Sequence, residues 1–231
     1  MGTVPSLTSP LLAKPLVDSR EILEYLDQSK DSPETNLLPS EPNQKLIVGK
    51  LIEQAHSDKI STNILLFLAR NEEELEKNRK SGRQTFLHNR QEALEEYHVQ
   101  VPEHSFYAPK MRENGSIDHM YETPAAKELV DFFQSSQDAY QGFIRGFQEL
   151  DSMLVLPYAA GDSLTAADIH IAPWLSHAMM AVGTDDINDL RPLEMHLQKS
   201  SPEFKIGKKT REWWSNMNQR PSFKEFYPKP H

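Results

Sequence analysis

Apolar positions recur at three- and four-residue spacings along most of the chain. Ile22, Leu23 and Leu26, with Tyr25 beside them, predict a helix from Arg20 to about Gln28, started by Asp18-Ser19. Leu46, Val48, Leu51, Ile52, Ala55, Ile60, Ile64, Phe67 and Leu68 predict one long helix over about 43–71, mostly buried in its middle. Residues 72–98 are charged and helical, with a kink or break at Ser81-Gly82, and their charge run reads as a solvated face. Leu129, Phe133, Tyr140, Phe143, Ile144, Phe147, Leu150 and Leu154 mark a second long helix from about Pro124 to Met153. The segment Ile169 to Val182 is apolar nearly all round and so reads as a buried helix, interrupted or bent at Pro173. A short helix around Pro192–Lys199, an amphipathic one over Lys205–Gln219 and a last turn Phe223–Phe226, capped by Ser222, complete the pattern.

Three stretches lack periodicity. Residues 1–17 carry three prolines and read as short extended pieces joined by a turn, with Val4-Pro5 a place for a cis bond. Residues 31–42 are rich in Pro, Ser, Asp and Glu and form a linker by composition. Residues 99–124, with Pro102, Pro109, Gly115 and Pro124, read as a long irregular insertion. Nothing after residue 30 reads as a strand. The expected fold is therefore mainly α, divided into 1–30, a linker over 31–42 and a helical domain over 43–231.

The clearest helix start lies in Gly161 to Ile169. Thr165 can accept from the N–H three residues on, while Asp168 reaches back to the N–H of Thr165. Because the helix that follows is buried, removing either partner should cost about 1–3 kcal/mol.

Composition narrows the function classes. A net charge of −9 over 231 residues argues against a general binder of nucleic acid or anionic membrane. The absence of cysteine excludes disulfides, a cysteine nucleophile and Cys-based zinc sites. No run approaches a membrane span and no basic-then-apolar signal opens the chain, so a soluble, cytoplasmic protein is expected. Asn114-Gly115-Ser116 matches a glycosylation sequon and is read as chance.

Candidate chemistry is sparse. His170 and His177 share a helix face seven residues apart, which lacks the tighter i, i+4 metal spacing, and they read as partly buried histidines with no metal expected. His98, His104 and His119 sit near the 99–124 stretch and read as surface residues, although imidazoles there could move protons. Trp213-Trp214, Trp174 and Met179-Met180 read as core, with a pocket wall as the other reading.

Four pieces in this order resemble the glutathione transferase family across nearly the whole chain. Thr3-Val4-Pro5-Ser6-Leu7 is similar to the family's cis-proline loop. Leu16 to Leu26, with Asp18-Ser19, resembles its acidic-Ser motif and following helix. Gly161 to Asp168 resembles its buried capping box, and Trp213 through Arg220-Pro221-Ser222 its C-terminal helix and Arg-Pro stop. The resemblance implies a glutathione-transferase-like all-helical C-terminal bundle, preceded by a strand-strand-helix remnant of a thioredoxin-like domain. The family's first strand, first helix and second strand are missing before Val4, and with them the residue that activates the glutathione sulfur. A sheet of two strands is marginal in water, so the fragment would need support from the bundle or a partner.

What remains of the implied glutathione site is Val4 and Pro5, pairing with the tripeptide backbone, and Asp18 and Ser19, holding its γ-glutamyl end. The implied hydrophobic substrate pocket is lined by His56, Asn63, Phe67 and Trp174, with Phe106, Tyr107 and Met111 of the long insertion as a lid. Glutathione as cosubstrate, a hydrophobic electrophilic small molecule as substrate in biosynthesis or detoxification, and a homodimer are the partners this implies. The other readings are a non-catalytic binding or assembly module and a glutathione-independent enzyme.

Overall fold

A computed structural model describes residues 5–29, 36–122 and 124–231. Among them are eleven α-helices, one 3₁₀ turn and no strand, so the chain is mainly α. The helices are α1 (Ser19–Gln28), α2 (Pro42–Ala55), α3 (Asn63–Phe67), α4 (Glu72–Lys80), α5 (Arg83–Gln100), α6 (Tyr107–Tyr121), α7 (Ala126–Met153), α8 (Ala166–Ala181), α9 (Arg191–Gln198), α10 (Lys208–Gln219) and α11 (Pro221–Phe226).

The apolar face of α8 is the centre of the main core. Ile171, Leu175, Ala178 and Met179 are buried there against α2, α7, α9, α10 and α11. The 28 residues of α7 extend it over roughly 42 Å. That length lets its Tyr140–Leu150 end join the main core while Leu129, Phe132 and Phe133 reach a smaller cluster of Phe67, Ala69, Leu75, Leu87 and Tyr121. This second cluster joins the α5–α6 pair to the bundle, and the Tyr121 hydroxyl fixes it by donating to the Phe67 carbonyl at 2.7 Å.

Half of the expected capping box forms at α8: Asp168 reaches back to Thr165, while the Thr165 side chain accepts no N–H and the Asp168 N–H pairs with the Thr165 carbonyl at 3.1 Å. The carboxylate does more than cap. Asp168 is wholly buried. Its Oδ2 accepts from the Thr165 N–H at 2.8 Å and the Thr165 hydroxyl at 2.9 Å. Its Oδ1 accepts from the Ala159 N–H at 2.7 Å and the Trp213 indole N–H at 2.8 Å. One side chain thus ties the loop before α8, the first turn of α8 and α10 together. Trp214 is buried beside Trp213 and donates its indole N–H to the Ile187 carbonyl.

Five expectations change. The helix expected over 43–71 is α2, a 3₁₀ turn at Asp58–Ile60 and α3, because the Ser57 hydroxyl accepts from the Lys59 N–H and restarts the chain in a new direction. The irregular 99–124 stretch holds α6, a four-turn helix packed along α5. Helix α8 runs unbroken through Pro173. The strand pair expected in residues 1–30 is reduced, among the described residues, to one antiparallel bridge in which Leu7 and Leu16 exchange bonds of 2.8 and 3.0 Å. A bridge of one residue pair has no neighbours to extend its ladder, so it defines no sheet. At the end of the chain, Arg220 rather than Ser222 stands at the N-cap of α11, with Pro221 at its first position. The sequon residue Asn114 is buried and its amide donates to the Leu87 carbonyl and to Gln91.

The N-terminal piece is tied to the bundle. Asp27, at the end of α1, accepts from the N–H groups of Leu37 and Leu38 at 2.9 and 3.2 Å. The Leu37 carbonyl in turn accepts from Ala166 N–H at 2.8 Å, beside the α8 cap. This relay sets α1 next to α8.

Candidate functional site

Where α1, the end of α2 and α8 meet, they enclose an open cavity of about 540 Å³. Ile22, Leu23 and Leu26 supply one apolar wall from α1, and Pro173 and Trp174 supply the other from α8. Helix α1 can present this wall because its apolar residues fall on one stripe. The Asp18 carboxylate holds its first turn, accepting from Arg20 N–H at 2.9 Å and Glu21 N–H at 3.3 Å. Pro173 has no N–H to offer the Ile169 carbonyl one turn back, and both residues face this cavity. Trp174 is buried except for a thin edge. Its indole N–H donates to Ile60 O at 2.7 Å, and its ring stacks on Phe143 and meets Phe147 edge-on.

The polar lining is Ser19 and four histidines, His56, His170, His177 and His231. His56 Nε2 lies 2.8 Å from His170 Nδ1, with the rings edge-on, so one imidazole donates to the other. Burial, and then the neighbouring His56, hold the His170 imidazole down at about 4. It is neutral at physiological pH, and its Nε2 is buried with no partner. His177 is lowered in the same direction by burial and by His231, and its Nδ1 is 2.6 Å from the Thr62 hydroxyl. The result is an apolar cavity edged by imidazole nitrogens, with the His170 ring neutral, suited to an uncharged or weakly polar molecule.

The residues singled out in the sequence distribute as follows. Ser19, His56 and Trp174 line this one cavity, and Asp18 caps the helix from which Ser19 projects. Pro5 is exposed, and Val4 lies outside the described residues. Asn63 is exposed at the start of α3, and Phe67 stacks on Phe86 within the second cluster; neither lines the cavity. Phe106, Tyr107 and Met111 belong to the α5–α6 region, where Tyr107 stacks on Tyr97, and they do not cover this cavity. His104 packs against Phe106 and Tyr107, and His119 sits 3.4 Å from Glu128. Sequence reasoning missed the α1 wall and the meeting of His56 with His170. The apolar stripe of α1 was visible, but nothing in the spacing shows which helix it faces.

No family model, curated protein or solved structure matches this chain.

Proposed function

We propose that the α1–α8 cavity binds a hydrophobic, electrophilic small molecule, with glutathione seated beside it at the start of α1, in the manner of a glutathione transferase. The observation that carries this reading is the placement of Ser19, next to Asp18, on the rim of the cavity that His56 and Trp174 line. Asp18 takes up the Arg20 and Glu21 N–H groups at the start of α1, which leaves the N–H and hydroxyl of Ser19 for a carboxylate, and the Asp18 carboxylate favours an ammonium group. The γ-glutamyl end of glutathione has both.

Chemistry at this site rests on positioning. Glutathione's thiol has a pKa near about 8.5, while His170 sits at about 4. Proton transfer from the thiol to His170 is therefore disfavoured by a factor of about 10⁴ or more. The imidazole pair can accept a hydrogen bond and orient the sulfur, but it does not ionise it. Conjugation by this chain is slow, with any acceleration coming from holding thiol and electrophile together.

Trp174 provides the test. An apolar fluorescent probe seated in the cavity should quench tryptophan emission, and glutathione should tighten its binding. Leu26→Asp, half exposed on the cavity rim, should weaken the probe by about tenfold at unchanged thermal stability. Probe binding that ignores both glutathione and Leu26→Asp would place the ligand elsewhere.

A further inference from the structure

A second cluster of titratable side chains lies far along the chain from that cavity, on the α5–α6 pair. His88 and Glu92 are one turn apart on α5, and Asp118 and Glu122 are one turn apart at the end of α6. His88 Nδ1 stands 3.6 Å from Asp118 Oδ2 and 3.9 Å from Glu122 Oε1. One donor atom from each of these three residues falls within 4.8 Å of the other two. On the far side of the ring, His88 Nε2 is 3.6 Å from Glu92 Oε1.

Asp118 is what sets this cluster apart from a solvated acidic patch. Its side chain is only 8% exposed, and its Oδ1 is buried with no hydrogen-bond partner. Its approach to His88 is longer than a hydrogen bond. A buried carboxylate without donors is costly, and among the described residues its one ion pair is with His88. A cation beside it removes that cost.

We propose that His88 Nδ1, Asp118 and Glu122 bind one divalent transition-metal ion, with zinc the best fit, and that Glu92 is the outer partner that orients His88. One imidazole with two carboxylates is a donor set for a borderline cation with an open fourth position. Ligands around a tetrahedral zinc stand roughly 3.3 Å apart, so the two histidine–carboxylate separations need to contract by about 0.3–0.6 Å and no pair by more than about 1.5 Å. The imidazole is set up for this. Glu92 can accept the Nε2 proton, which leaves Nδ1 as the lone-pair nitrogen facing the two carboxylates, the usual carboxylate–histidine–metal arrangement. Because the ligands come from both helices, the ion clamps α6 to α5.

The experiment is calorimetric titration of zinc chloride into the tag-free full chain after chelator treatment, with melting followed in parallel. A one-to-one isotherm with Kd on the order of 10 µM or tighter, and a higher melting temperature, are expected. His88→Gln and Glu122→Gln, both at half-exposed positions, should each abolish the isotherm, and Glu92→Gln should weaken it by about 10- to 100-fold. Asp118→Asn should behave as His88→Gln; if it fails to fold, the three surface variants decide. Cobalt(II) in place of zinc should give the strong visible absorption of a tetrahedral site in the parent chain and lose it in His88→Gln. Absence of zinc binding at a hundredfold excess overturns the proposal, as does binding that His88→Gln leaves unchanged.

Discussion

At the scale of single residues, two buried groups set how the protein responds to mutation and to acid. Asp168 has four donors and no exposure. Asp168→Ala strands the Trp213 indole and two backbone N–H groups inside the core, at about 1–3 kcal/mol for each unsatisfied group. The substitution should therefore cost at least about 3 kcal/mol, at or above the top of the range that a capping box alone implies. Thr165→Ala leaves the carboxylate with three donors and should cost about 1 kcal/mol. Urea unfolding of both variants checks the order; equal losses would show that Asp168 acts only as a cap.

The histidines give a pH prediction. Burial and then Arg70 hold His196 at about 4, with Lys199 and Lys77 acting in the same direction and Glu74 opposing. His170, facing His56, Arg20 and Asp18, is also held at about 4, and His177 is lowered beside His231. An imidazole in the unfolded chain titrates near about 6.5, so the unfolded state takes up these protons first. Their contribution to stability is complete above that pH and is lost as the pH falls from about 6.5 to about 4. A further loss follows below about 4.5. Burial alone would raise the Glu74 carboxyl, but Arg70, and then Lys199, hold it at about 2. Urea midpoints should fall steadily from about pH 7 to pH 4, and a flat profile there would show that these imidazoles protonate freely in the folded state.

At the scale of elements, helix packing distinguishes two glycines one turn apart on α7. A Cβ at Gly146 would come within 2.4 Å of Ile60 Cγ2, because the 3₁₀ turn lies directly on the helix there. Gly146→Ala should destabilise by about 1–3 kcal/mol through overpacking. A Cβ at Gly142 meets nothing within 4 Å, so Gly142→Ala should stabilise by about 0.5–1 kcal/mol. Thermal melting of the pair should give shifts of opposite sign.

The same elements show what was legible in advance. Helices α1, α7 and α10 stand close to where their periodicity puts them, since each has one apolar stripe, and α8 does so because it is apolar nearly all round behind a clear start signal. Helix α6 was hidden by its punctuation. Pro109 falls in its first turn, where no N–H is needed, and Gly115 lets the helix approach Gln91 of α5. The end of α2 was hidden because Ile60, Ile64, Phe67 and Leu68 happen to continue its apolar spacing, while the signal of the break was the polar run His56-Ser57-Asp58. Of the expected pocket residues, His56 and Trp174 share a cavity because α2 and α8 pack side by side. Asn63 and Phe67 do not, because they lie beyond the break. The His88 cluster had no readable motif, as half of it sits on a helix that the sequence presented as a loop.

At the scale of the whole molecule, the bundle is built around α8, and its N-terminal helix α1 is docked against α8 by the Asp27–Leu37–Ala166 relay. Among the described residues no helix is long and apolar enough to cross a membrane. The docking of α1 creates the cavity, so the proposed function depends on the N-terminal piece as much as on the bundle. Isothermal titration of reduced glutathione into the full chain, followed by S-hexylglutathione, tests this most directly. Glutathione should bind in the millimolar range or tighter. The hexyl derivative should bind more tightly, because each methylene it buries between α1 and α8 contributes roughly 0.8 kcal/mol. No binding of either compound at millimolar concentration, in a chain that melts cooperatively, would contradict the account.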